Sequence, residues 1–149
     1  MKARYHVMVS TGLSLGVLAL SQSWPATTAC FFSGILIDLD HYWEYYIIKQ
    51  KFPFRYKDLV DFCQNDKYSK LYLIFHSYEY LILLWFAIYF LHLNEVWIGF
   101  ALGLTVHLLF DQLVNPVKPL FYFLTFRMYY QFEKSKIVSK DYFQRKIPM

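Results

Sequence analysis

The chain has 149 residues, of which 57% are hydrophobic, 22% are aromatic and only 17% are charged. This composition is more apolar than that of average soluble domains and favours a single membrane-embedded domain over residues 1–149. The net charge of +4 comes from basic residues grouped near both ends and in residues 49–70. Because the aromatic residues lie in apolar runs and not in a basic groove, we expect no nucleic-acid partner.

Apolar runs of about 20 residues match the length of helix that crosses a hydrocarbon core of about 30 Å. They predict an all-α fold, a polytopic helix bundle with four transmembrane helices. The predicted spans are residues 5–22, 26–48, 71–93 and 96–114. Pro25 opens the second span, a turn at Asn94 and Glu95 separates the last two, and Asn115-Pro116 ends the fourth.

Three further segments complete the chain. Residues 49–70 are too charged to lie in hydrocarbon and predict a cytoplasmic loop with room for a short helix. Residues 117–132 are rich in aromatics around the single Arg127, which predicts an interfacial helix or, alternatively, a short re-entrant segment. Residues 133–149 form a basic tail that we expect to be solvated. Arg127 is also a candidate to attract an anionic lipid head group.

The basic segments also predict the orientation of the spans. Positive charge marks the cytoplasmic side of a membrane, so both termini and the 49–70 loop are expected in the cytoplasm. The first 30 residues resemble a signal peptide as well, with cleavage conceivable near Ala29. We favour an uncleaved first span, because its removal would leave an odd number of spans.

The spans carry ionisable residues that share one depth. With a rise of 1.5 Å per residue, all of them fall in the cytoplasmic half of the bilayer. Each would cost about 2.5–3.5 kcal/mol to insert without compensation, so a shared site is the economical explanation. These residues are His6, Asp38, Asp40, His41, His76, Glu79, His107 and Asp111.

The spacing of these residues pairs them on helix faces, because positions three or four apart are neighbours. The predicted pairs are Asp38 with His41, His76 with Glu79, and His107 with Asp111. Gly99 and Gly103 extend the His107 face as a stripe of small residues. Such a stripe allows another helix to approach closely and could support a homo-oligomer.

Imidazole and carboxylate groups are common ligands of zinc and similar divalent ions. Such an ion would compensate the buried carboxylates and activate a bound water as a nucleophile. Alternatives remain for single residues: His6 as an interfacial residue, His107 with Asp111 as a structural pair, and Glu79 as a partner of loop lysines. Asp40 projects away from Asp38 and His41 on an ideal helix, so it either orients a metal ligand or faces another helix.

At these residues the sequence resembles the predicted membrane-bound metal-dependent hydrolases of bacterial inner membranes. The matching positions are His6, Asp38-Leu39-Asp40-His41, His76-Ser77, and His107 with Asp111. The resemblance implies a metal-bound hydrolase site acting on phosphoesters, by similarity to zinc phospholipase C-like enzymes. Leu71 and Tyr72 stand where family members commonly have His-Arg, and Phe75 replaces the usual Thr.

The expected function is therefore a membrane-embedded, metal-dependent hydrolase acting on a lipid or lipid-linked phosphoester in the cytoplasmic half of the bilayer. Asp40 or Glu79 would serve as a general base or would orient a ligand. One or two divalent ions, with zinc as the expected metal, would be held by His6, Asp38, His41, His76, His107 and Asp111.

Two other functions stay open. Buried histidine and carboxylate chains also form relays in proton- or metal-translocating proteins. Such a path needs polar groups in both halves of the bilayer, whereas the outer half here is nearly bare of ionisable groups. The third interpretation is an inactive relative that keeps the polar cluster as structure.

Overall fold

The structure, a computed structural model, describes residues 3–52, 55–64, 68–139 and 142. The regular structure of these residues is helical, with two isolated β-bridges and no strand among them, which confirms the all-α prediction. Parts of the predicted loop and tail, residues 53–54, 65–67, 140–141 and 143–149, lie outside the described residues. The helices are α1 (Ala3–Ser21), α2 (Trp24–Leu36), α3 (Asp40–Lys49), α4 (Tyr56–Gln64), α5 (Tyr78–Phe90), α6 (Glu95–Val114), α7 (Leu124–Tyr129) and α8 (Lys134–Ile137).

The chain divides into two compact units. The first unit comprises Met1–Ile37 and Tyr78–Val114, and the second comprises Asp38–Ser77 and Asn115–Met149. The first unit therefore holds α1, α2, α5 and α6. The second holds α3, α4, α7 and α8, joined by long irregular segments.

Local signals explain where α2 begins in the first unit. Its start is capped by Ser23, whose side chain accepts a hydrogen bond from the amide of Ala26, and Pro25 occupies the first turn. A proline is tolerated there because the first amides of a helix have no intrahelical acceptor. α2 packs against both α1 and α6, and α5 packs against α6.

Two glycines of α6 allow its close approach to α2. A Cβ atom at Gly99 would overlap the backbone carbonyl of Ala26, and one at Gly103 would overlap the Cys30 carbonyl and the Ser33 hydroxyl. Only a residue without a side chain fits at such a backbone-to-backbone contact. Because α2 already covers Gly99 and Gly103, an oligomer of this chain would have to use a different face.

Helix α6 matches its predicted span most closely. Within the described part of the chain, Glu95–Val114 is the one helix that is long and apolar enough to cross a membrane, by length and composition. α5 is a shorter apolar helix of 13 residues. α1 and α6 confirm that residues 5–21 and 96–114 are helical.

The predicted second and third spans are not continuous helices. The second breaks at Leu36 into a 3-10 turn, Ile37–Leu39, before α3 begins at Asp40. The third begins only at Tyr78, because the amides of Tyr72, Phe75 and His76 donate to carboxylates and not to helical carbonyls. Tertiary hydrogen bonds at these places outweigh local helix propensity.

The interfacial helix predicted for residues 117–132 is also wrong as a continuous helix. Turns occupy most of residues 117–123, and only α7 (Leu124–Tyr129) is helical. The described part of the basic tail packs onto the protein: Lys134 and Ile137 are buried, and the Lys134 amide donates to the Ser69 carbonyl. We expected this segment to be solvated, but Lys134, Ile137 and Val138 are buried, whereas Ser135 and Lys136 are exposed.

Replacement of Gly99 by Ala is expected to force α2 and α6 apart and to lower the free energy of unfolding by about 1–3 kcal/mol. The matched control is Gly12→Ala, since a Cβ at Gly12 meets nothing within 4 Å. That control should be neutral or more stable by up to about 1 kcal/mol, the usual helix-interior gain. Detergent-titration unfolding measures both, and equal effects would contradict the close contact.

Candidate metal centre

In the first unit, three predicted ligands converge and form what we call the His107 cluster: His6, His107 and Asp111. His6 comes from α1, whereas His107 and Asp111 share one face of α6, and all three are at most 4% exposed. The two imidazole rings stack with their centroids 4.0 Å apart. His6 Nε2 lies 3.4 Å from Asp111 Oδ1, and His107 Nε2 lies 3.6 Å from Asp111 Oδ2.

The tautomer of His107 follows from its second ring nitrogen. His107 Nδ1 lies 2.8 Å from the carbonyl oxygen of Gly34, which can only accept a hydrogen bond, so Nδ1 must carry the proton. In the neutral ring, Nε2 then holds a lone pair, and that lone pair faces the Asp111 carboxylate. Two lone pairs directed at each other require a proton or a metal cation between them.

The distances in the His107 cluster fit a metal ion. Ligand atoms bound at about 2.0–2.2 Å in tetrahedral geometry lie about 3.3–3.5 Å from each other. The two contacts of 3.4 and 3.6 Å are close to that separation and longer than common hydrogen bonds. One ligand atom from each of the three residues lies within 4.8 Å of the other two. Two imidazoles and a carboxylate form a donor set that could hold a divalent metal ion.

In the second unit, Asp40 organises a group that we call the His76 cluster: Asp38, Asp40 and His76. Asp40 Oδ2 accepts hydrogen bonds from the amides of Phe75, at 2.8 Å, and His76, at 3.1 Å. The same oxygen lies 3.1 Å from His76 Nδ1. Asp40 therefore orients His76. This is one of the two alternatives predicted for Asp40, namely that it orients a candidate metal ligand.

The hydrogen bond to Asp40 also determines which nitrogen of the neutral His76 ring carries the proton. Because an ionised carboxylate only accepts, Nδ1 donates and Nε2 of the neutral ring keeps its lone pair. His76 Nε2 lies 3.6 Å from Asp38 Oδ1. His76 is fully buried, whereas the Asp38 side chain is 28% exposed. A carboxylate behind a ligand histidine is the usual support of a metal site.

His41 and Glu79 belong to helices that begin close in sequence to the other site residues. His41 lies in α3, whereas Asp38 lies in the 3-10 turn before it; His41 Nδ1 faces Glu44 Oε2 at 3.7 Å, and its ring centroid is 5.6 Å from that of His76. Glu79 lies in the first turn of α5, half-buried in the first unit. The predicted helical pair of His76 and Glu79 is wrong, because His76 precedes the helix. The pair of His107 and Asp111 is confirmed.

Two contributors to the site were missed from the sequence. Gly34 acts through its backbone carbonyl, for which a sequence carries no signal. Arg127 is fully buried and donates to the carbonyls of Leu73, at 2.7 Å, and His76, at 2.8 Å. Its guanidinium is therefore engaged inside the protein and is not an interfacial group for lipid. The only hint was one charge inside an aromatic run.

Comparisons of the chain with known protein families, with curated proteins and with solved structures find no match.

The Asp40→Ala variant is expected to leave three buried donors without their acceptor and to lower the unfolding free energy by about 3 kcal/mol or more. Asp40→Asn keeps one acceptor oxygen, so its unfolding free energy should fall less than that of Asp40→Ala. Hydrogen exchange at the amides of Phe75 and His76 should accelerate in Asp40→Ala. Asp61→Ala, at an exposed position, is the control; exchange rates that match between the two alanine variants would refute the role of Asp40.

Proposed function

We propose that this chain is an integral inner-membrane protein of bacteria that hydrolyses a lipid or lipid-linked phosphoester with one or two divalent metal ions, zinc being the expected metal. The observation that carries the proposal is the His107 cluster, a buried set of two imidazoles and a carboxylate in a helical unit with an apolar exterior. The motif resemblance points to the same reaction class.

The distribution of polarity in the first unit supports insertion into a membrane. Its buried side chains include Ser10, Ser14 and Ser33 as well as the His107 cluster. In water, the exposed apolar area would cost about 25 cal/mol per Å², whereas contact with hydrocarbon removes that cost. The exposed large side chains of this unit include Leu15, Leu20, Ile82, Leu83, Phe86, Tyr89 and Leu113.

The short helices are compatible with four spans. Thirteen residues of helix extend about 20 Å, which is less than the hydrocarbon core of about 30 Å. Irregular backbone can fill the remainder only where its polar groups are bonded inside the protein. The segment that precedes α5 meets this condition, because its amides donate to Asp40 and Glu44 and its carbonyls accept from Arg127.

The proposal gives the residues of the two clusters different roles. His6, His107 and Asp111 would hold one ion, and His76 with Asp38 would hold a second, for which His41 remains a candidate ligand. A bound divalent ion would supply Lewis-acid activation of a water molecule and of a phosphoryl oxygen. In the neutral rings, the Gly34 carbonyl places the proton of His107 on Nδ1 and Asp40 places that of His76 on Nδ1, so Nε2 of each ring is the nitrogen that could bind an ion.

The general base is assigned to Glu79. Asp40 Oδ2 already accepts two amide hydrogen bonds and one imidazole hydrogen bond, and its side chain is 1% exposed, so it orients His76 and is poorly placed to take a proton. Glu79, which is half-buried in the first turn of α5, is the other carboxylate that we propose for this role. A lipid phosphate suits the chain because its tail can stay in the bilayer while the head group reaches the metal.

One observation favours the relay function as a second candidate. Ser10 and Ser14 follow His6 at intervals of four residues on α1, and all three side chains are buried. Hydroxyl groups that continue from a buried imidazole could pass protons along the helix. Proton or metal flux into vesicles that contain the purified chain would distinguish this function from hydrolysis.

Metal content tests the site directly. The purified chain is expected to contain stoichiometric divalent metal by elemental analysis, and His107→Ala should lose the ion bound in the His107 cluster. His92→Asn is the matched control, because His92 is exposed and belongs to neither cluster. Circular dichroism would establish that each variant folds. A purified protein that contains no metal and cannot be reconstituted with zinc, manganese or cobalt would refute the proposal.

Hydrolysis of lipid phosphates in vesicles tests the assigned base. Glu79→Gln is expected to lower kcat by about 10²–10⁴-fold, the usual contribution of general acid–base catalysis, while metal content stays unchanged. Glu95→Gln makes the same chemical change at an exposed position and should keep full activity. Equal activity of these two variants would remove Glu79 from the mechanism.

A further inference from the structure

The segment that delivers His76 has a strained backbone. Residues 71–77 form no helix, and Leu73 lies within them at a φ of +37°. A bulky side chain disfavours this left-handed region, so surrounding contacts must hold the residue there. Leu73 is also buried, which leaves no solvent to satisfy its backbone groups.

Carboxylates bind the amide groups of this segment. Glu44 Oε1 accepts from the Tyr72 amide at 2.7 Å, and Asp40 Oδ2 accepts from the amides of Phe75 and His76. Both carboxylates belong to α3 and are buried. Negative charge therefore lies where the backbone presents its donors.

A guanidinium binds the carbonyl groups of the same segment. Arg127 Nη1 donates to the Leu73 carbonyl and Nη2 donates to the His76 carbonyl, so the two ends of a single planar group span four residues of backbone. The guanidinium carbon also lies 5.6 Å from the centroid of the Phe121 ring. The strained residue and the candidate metal ligand are thus bound by the same side chain.

We infer that Arg127 is a positioning residue for His76. By bridging the Leu73 and His76 carbonyls, it holds the left-handed turn closed and keeps the imidazole with Nδ1 on Asp40 and Nε2 toward Asp38. As a statement about a metal site, this inference depends on the proposed function. As a statement about the orientation of His76, it can be tested without metal.

The geometry of the Arg127 bridge also determines which substitutions test its role. Lysine keeps the charge and the aliphatic stem of Arg127, but its ammonium is a single point and cannot reproduce the planar two-armed bridge. Glutamine at position 127 would remove both the two-armed bridge and the positive charge. Arg55→Gln repeats that change at an exposed arginine of the same unit and serves as the matched control.

The test is nitrogen-detected NMR of ¹⁵N-histidine-labelled full-length chain in nanodiscs, with a chelator present and at about pH 9, above the ordinary histidine pKa of about 6.5. His76→Gln assigns the signals. The wild type and Arg55→Gln should show His76 as one tautomer with Nδ1 protonated. Arg127→Lys should shift a fraction of His76 to the tautomer with Nε2 protonated. Arg127→Gln should show His76 as a mixture of the two tautomers.

Retention of the wild-type His76 signal in both folded Arg127 variants would overturn the inference. Failure of both variants to fold would also overturn it, because Arg127 would then stabilise the whole unit and not the position of one ring. Metal content does not enter this measurement. A wild type that binds no metal, but whose His76 responds to Arg127 as expected, would refute the hydrolase proposal alone.

Discussion

One oxygen of Asp40 accepts hydrogen bonds from two backbone amides and one imidazole, and the arrangement of the second unit depends on it. A buried carboxylate is stable only when donors surround it, so the chain must bring residues 75 and 76 to α3. That requirement prevents α5 from starting before Tyr78. The same contact sets the ring of His76, which makes local folding and the chemistry of the site inseparable.

In the first unit the corresponding constraint is the distance between two helices. Gly99 and Gly103 allow the backbones of α2 and α6 to touch, and this closeness places the Gly34 carbonyl within reach of His107. Polar groups then occupy the interior while leucine and aromatic side chains cover the outside. This distribution is one reason for the proposed insertion into a membrane, where hydrocarbon would contact the outer side chains.

Much of the helical content could be predicted from the sequence, because α1 and α6 are long, mostly apolar segments bounded by turn-forming residues. His107 and Asp111 could be paired because their spacing in such a helix places them on one face. His76 could not be placed, since its segment is determined by Asp40 and Arg127, which are distant in sequence. Arg127 was misassigned because an isolated arginine among aromatics is typical of a membrane interface, and only tertiary structure shows two buried carbonyls as its acceptors.

The two histidines with assigned tautomers differ in robustness to mutation. The acceptor of His76 is a side chain, so a single codon change at Asp40 can abolish it. The acceptor of His107 is a main-chain carbonyl, which every residue type at position 34 would retain. That position is nevertheless restricted, because a Cβ there would overlap the hydroxyl of Ser10. Whether a larger residue can replace Gly34 therefore depends on the residue at position 10 of α1. Substitutions at these two positions should be correlated during evolution.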